Sequence, residues 1–96
     1  MSTFILTFRN DPTVTPTAAQ EQLWADWFAE IQEHIADFGT RVGQAVMLGD
    51  NPATPDSLSG FMKVEADNLD AAVKLASGCP GLTYGGRVEV GEPVAM

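Results

Sequence analysis

A chain of 96 residues with a formal net charge of −8 reads as one domain, and its acidity argues against nucleic-acid backbones and anionic membranes as partners, since both attract basic proteins. Hydrophobic residues are 45% of the chain and charged residues 19%, the profile of a folded protein rather than a disordered one. Cys79 is the single cysteine, which excludes an intrachain disulfide; the N-terminal apolar run lacks a basic region, no run reaches the ~18 apolar residues of a membrane span, and a cytoplasmic location is expected.

Residues 3–9, Thr-Phe-Ile-Leu-Thr-Phe-Arg, form a β-rich run and the first expected strand. Asp11-Pro12 and Thr15-Pro16 read as a turn and a helix approach, with Thr15 as cap and Pro16 at the first helical position. The first helix is expected over residues 16–38, stopped by Gly39. At about 100° per residue, Leu23, Trp24, Trp27, Phe28, Ile31, Ile35 and Phe38 share one apolar arc. The acidic residues Glu21, Asp26, Glu30, Glu33 and Asp37 lie outside it, and His34 sits at its edge.

The apolar run 42–48 is the expected second strand, followed by a loop over 49–59 with Pro52 and Pro55. Residues 60–65 alternate as a third strand. Asn68 is a good cap for a second helix with Leu69, Ala72, Val73 and Ala76 inward and Gly78 at its end. Residues 79–86 read as a loop, and 87–94 as a last strand whose Pro93 belongs on a sheet edge or outside the ladder.

The order is therefore β-α-β-β-α-β, an α+β ferredoxin-like fold: a four-stranded antiparallel sheet with both helices on one face. Two helices cover one face only, while the first two strands carry apolar residues on both sides. A domain this small buries only roughly 60–65% of its unfolded surface, so a homodimer packed sheet to sheet is expected.

The second half carries a family resemblance. Ser59-Gly60-Phe61-Met62-Lys63-Val64-Glu65-Ala66-Asp67-Asn68-Leu69-Asp70-Ala71-Ala72, then Gly78-Cys79-Pro80-Gly81-Leu82 and Gly86-Arg87-Val88-Glu89-Val90 through to Pro93-Val94, resembles the YCII-related family of the dimeric α/β-barrel superfamily. The first half fits in outline, as strand, Trp-bearing helix and Gly turn. The resemblance implies the ferredoxin-like fold, a dimeric α/β barrel, and a single YCII-like domain over 1–96. Some members of that family are thought to use a His on the first helix and an Asp of an Asp-Pro pair after the second, and a related member is a dehydrochlorinase of aromatic degradation. Here Pro80 is kept, Cys79 stands at the place of that Asp, and His34 comes late in its helix.

His34 is the first candidate for chemistry, since imidazole exchanges protons near neutral pH. Glu30 or Asp37 could orient it, and Asp50 or Tyr84 could assist; the plainer alternative is a half-buried His paired with a neighbouring carboxylate. Cys79 follows a helix end, whose negative dipole disfavours a thiolate, and reads as a small buried residue. Trp24, Trp27, Phe28 and Phe61 are either core packing or the walls of a cleft for a planar apolar ligand. Arg41 and Arg87 either hold an anionic group or stay solvated. The candidate site is thus His34 as acid or base with Trp27, Phe61, Tyr84, Arg41 and Asp50 in binding. No metal or other cofactor is expected: one His and one Cys are too few, and Tyr84-Gly85-Gly86-Arg87 precedes a strand, not a helix as a phosphate loop would. Three readings of function stay open: a pocket between the first helix and the sheet that binds or transforms a small organic molecule, a non-catalytic dimeric accessory module, and a heme- or aromatic-binding barrel of the kind found in the wider superfamily.

Overall fold

Alternation decides the sheet. In strand β1, Ser2–Asn10, the side chains of Phe4, Leu6 and Phe8 are buried together on one side, as the two-residue period of an extended chain requires. In strand β3, Ser57–Ala66, Met62, Val64 and Ala66 do the same. The two pair antiparallel with Phe4 opposite Val64 and Leu6 opposite Met62, so the buried faces coincide. The computed structural model describes residues 1–49 and 56–95.

Strand β2, Ile35–Arg41, pairs antiparallel with the other side of β3, and strand β4, Arg87–Gly91, pairs antiparallel with β1. The sheet order is β2-β3-β1-β4. Helix α1, Ala18–Glu30, connects β1 to β2, and helix α2, Leu69–Ala76, connects β3 to β4. Each crossover joins parallel strands separated by one antiparallel neighbour, which is the ferredoxin-like arrangement. Trp27 and Ile31 from α1 and its end join Ala72 and Ala76 of α2 and the buried strand residues in one core, so both helices cover the same face. The opposite face carries Thr3, Ile5 and Thr7 of β1 beside Glu65, Lys63 and Phe61 of β3. Among the described residues no helix is long and apolar enough to cross a membrane.

Local chemistry sets the helix ends. Thr17 caps α1: its hydroxyl accepts from the Gln20 N–H at 3.1 Å, and the Gln20 side chain accepts from the Thr17 N–H at 2.9 Å. This reciprocal capping box satisfies two N–H groups that the helix itself leaves unpaired. The cap is therefore Thr17, two residues beyond the expected Thr15. Asn68 caps α2 as expected, accepting from the Ala71 N–H at 2.8 Å. Asp70 in the first turn and Lys74 in the last both complement the helix dipole.

The first helix is shorter than its apolar spacing implies. It ends at Glu30, not Phe38, and Gln32–His34 form one turn of 3-10 helix before β2 begins. Ile35 and Phe38 therefore belong to a strand. They reach the helix side of the sheet anyway, Ile35 against the core and Phe38 against Phe28, which is why the helical period ran through them. The second strand is correspondingly Ile35–Arg41 rather than 42–48. The free edge of β3 is taken by the residues immediately preceding that run. Past a bond from the Val42 N–H to the Ser59 carbonyl at 2.8 Å, residues 43–49 have no regular structure, and Val46 and Leu48 are 79% and 86% exposed.

Three smaller corrections follow the same logic. Leu23 is exposed, because Trp24 and Trp27 already fill the space beneath α1. Leu69 and Val73 of α2 are exposed too; its inner side is Ala72 and Ala76 flanked by Ala71 and Leu75. β4 ends at Gly91, ahead of Pro93, which lies outside the ladder.

Candidate functional site

The site begins with an i, i+4 pair on α1. Trp24 and Phe28 stand one turn apart on the same side of the helix, their ring centroids 5.8 Å apart. Phe8 of β1 meets the Trp24 ring edge-on at 5.3 Å, and Phe38 of β2 meets Phe28 edge-on at 6.0 Å. Such edge contacts suit the aromatic quadrupole. Beneath them Trp27 is 3% exposed and donates its indole N–H to the Leu75 carbonyl at 3.3 Å, joining α1 to α2. Trp24 and Phe28 remain half-buried, and Phe38 is 59% exposed.

These rings border a cleft of about 700 Å³ between α1 and the sheet. Arg41 and Tyr84 line it as well, and Phe61 borders it from its place on β3, although strand alternation directs its side chain to the opposite face. Tyr84 ends a short 3-10 helix, Pro80–Tyr84, and its hydroxyl accepts a hydrogen bond from the Trp24 indole N–H. Gly81 in the same turn lets the backbone approach the Trp24 ring; a Cβ there would lie 3.1 Å from it. A smaller hollow of about 470 Å³ reaches Asp56 and Arg87 and shares Tyr84, Asn10, Asp11, Val14 and Pro16 with the cleft.

Charge around the cleft is unevenly neutralised. Asp56 accepts from Arg87 and lies 3.9 Å from Arg9, so two guanidinium groups of neighbouring strands share its carboxylate. Hydrogen bonding to Asp56 holds the Arg87 guanidinium still more firmly protonated. Asp11 accepts from the Thr13 hydroxyl at 2.7 Å and from its backbone N–H at 2.9 Å, and these bonds lower its pKa. Among the described residues Arg41 enters no ion pair, although it lines the cleft.

The structure separates the expected site residues. Tyr84 and Arg41 meet at the cleft, Phe61 borders it from β3 with its side chain alternating to the opposite face, and Trp27 lies under it in the core. His34 occupies the turn before β2 and lines neither hollow. Its Nε2 lies 3.9 Å from Glu33, and no ion pair forms with Glu30 or Asp37. Strand β2 separates His34 from Arg41 by seven residues, up to roughly 20 Å of extended chain. Asp50 lies outside the described residues. Sequence reasoning missed Phe38 as a wall residue, because its spacing placed it in the helix. It also missed Asp56 as the shared partner of Arg9 and Arg87, which only the strand register brings together.

Cys79 is buried beneath the turn that carries Tyr84. Burial pushes its thiol pKa up, partly countered by the N–H groups of Gly81 and Leu82. Because the folded-state pKa exceeds the unfolded one, the folded thiol keeps its proton when the unfolded chain has lost it. This contribution to stability is intact below the ordinary thiol value of 9.0 and is lost as pH rises above it. Native Cys79 should therefore react with a thiol reagent at least ~100-fold more slowly than in denaturant. Equal rates with and without denaturant would show that the turn does not cover the sulfur.

No known family model and no curated protein matches this chain.

Proposed function

We propose that the cleft between α1 and the sheet binds a small, largely apolar organic molecule, in a YCII-like domain that pairs as a homodimer. The observation that carries this reading is the aromatic wall of Trp24, Phe28 and Phe38 on a cleft of about 700 Å³, within the ~300–1,000 Å³ and the mainly apolar lining usual for ligand sites. An aromatic stripe alone is ordinarily core. Here Trp27 fills that role, leaving the other rings bordering open space. The reading favours binding over acid–base chemistry, since His34 stands at the far end of β2 and away from the wall.

The family assignment rests on the motif and where it falls. Its first run spans β3 and α2, Gly78 to Leu82 forms the following turn, and Gly86 to Val90 leads into β4. The single buried thiol suits a reducing compartment, and we place the protein in the cytoplasm.

A titration of intrinsic tryptophan fluorescence with neutral one- and two-ring aromatic compounds tests the cleft. The expected result is a saturable change that Phe38→Ala weakens and His34→Ala leaves intact. Absence of saturation with every compound would favour the second reading, a non-catalytic dimeric module. That reading has its own observation in the exposed apolar side chains of Val46, Met47 and Leu48; a dimer in sedimentation that Leu48→Asp dissociates, in a protein that binds none of the compounds, would support it.

A further inference from the structure

We infer that the molecule bound in this cleft is an aromatic carboxylate, its rings against Trp24, Phe28 and Phe38 and its carboxylate on the Arg41 guanidinium. The inference rests on reading the cleft as a ligand site. In a chain of net charge −8, every arginine sits at one end of the sheet. Arg9 is opposite Arg87 on one side and Leu58 on the other, and Arg41 is opposite Gly60. Arg9 and Arg87 share Asp56. Arg41 lines the cleft and has no carboxylate partner among the described residues.

A guanidinium offers a planar fork of donors that matches a carboxylate in two parallel hydrogen bonds. The acidic residues on the cleft leave it available. Asp11 already accepts two hydrogen bonds from Thr13. Glu21 is in the first turn of α1, where the helix dipole stabilises its charge. Tyr84 points the same way: its oxygen accepts from Trp24, which leaves its O–H to donate, and an oxygen-bearing ligand is what a donor serves.

The test compares naphthoic acid, its primary amide and the corresponding naphthylmethylamine on the full chain, by tryptophan fluorescence and calorimetry. The acid should bind about tenfold or more tightly than the amide, and added salt should shrink that advantage because Arg41 is exposed. In Arg41→Gln the advantage of the acid over the amide should vanish; Arg41→Lys should restore part of it. Equal binding of acid and amide to the unaltered protein would overturn the carboxylate inference and leave the apolar cleft standing. Tightest binding of the amine would overturn it in favour of a cation held by Glu21 and the rings. If none of the compounds bound, the cleft reading would fail and this inference with it.

Discussion

Trp27→Ala should lower the stability of the domain by ~3–5 kcal/mol, the range for truncating a large buried aromatic. Its ring lies 5.7 Å from Trp24, 5.5 Å from Phe28 and 6.1 Å from Phe8. Its indole N–H also ties the two helices together through the Leu75 carbonyl. The alanine would leave a cavity where β1, α1 and α2 meet, and rigid neighbours can refill such a space only in part. The Leu75 carbonyl would still accept from the Gly78 N–H at 3.4 Å, so the loss is chiefly one of packing. Small domains have only ~5–15 kcal/mol of total stability, and the urea midpoint should fall by about a fifth or more. Phe28→Ala, removing a half-buried ring, should cost less. Glu33→Ala, on an exposed side chain, should change stability within ~0.5 kcal/mol. Similar midpoints for the Trp27 and Glu33 variants would contradict the assignment of the core.

Gly39→Ala should detach β2 while leaving the rest of the sheet in place. Gly39 has φ +66°, and a Cβ built there would lie 1.9 Å from the Phe61 carbonyl oxygen and 2.7 Å from its carbon. Both are backbone atoms of the neighbouring strand, so no rotamer change relieves the clash. The pairing of β2 with β3 shifts register between Asp37 and Thr40, and the Asp37 carboxylate accepts from the Gly39 N–H at 2.8 Å. The glycine thus sits in an irregular step that sets the positions of Phe38 and Arg41. A left-handed alanine alone costs roughly 1–2 kcal/mol, and the steric conflict should bring the loss to about 2–4 kcal/mol. Amide exchange should show protection lost along β2 and kept along β1 and β4. Gly43→Ala is the matched control, since its Cβ would meet none of the described residues within 4 Å. Unchanged protection of β2 in the Gly39 variant would mean that the strand does not make this close approach.

The sequence was most legible where two independent signals coincide. β1 and β3 alternate cleanly, and α2 has both its Asn68 cap and a terminal glycine, so the fold order followed from them. β2 was misplaced because Ile-Ala-Asp-Phe-Gly-Thr-Arg is a poor strand by composition. Its Ile35 and Phe38 also continue the helical spacing of Trp24, Phe28 and Ile31, and no Gly or Pro marks the end of α1 at Glu30. Gly39 read as a helix stop when its backbone serves the irregular step in the strand. Periodicity identified the aromatic face of α1 but not which rings border open space: that depends on how Phe8, Phe38 and the turn at Tyr84 meet it. Arg41 was legible as a candidate, whereas its isolation from Asp56 depends on long-range register.

The contact between Trp24 and Trp27 has a consequence for how the protein interacts with light. The indoles are 5.7 Å apart and inclined at 79°, close enough for their excited states to couple and skewed enough for that coupling to be chiral. The far-ultraviolet circular dichroism should therefore contain an exciton couplet superimposed on the helical bands. Because both indoles are on α1, the couplet reports the side-chain orientations that packing against Phe8, Phe28 and the Leu75 carbonyl holds, and freeing those side chains should weaken it while the helix persists.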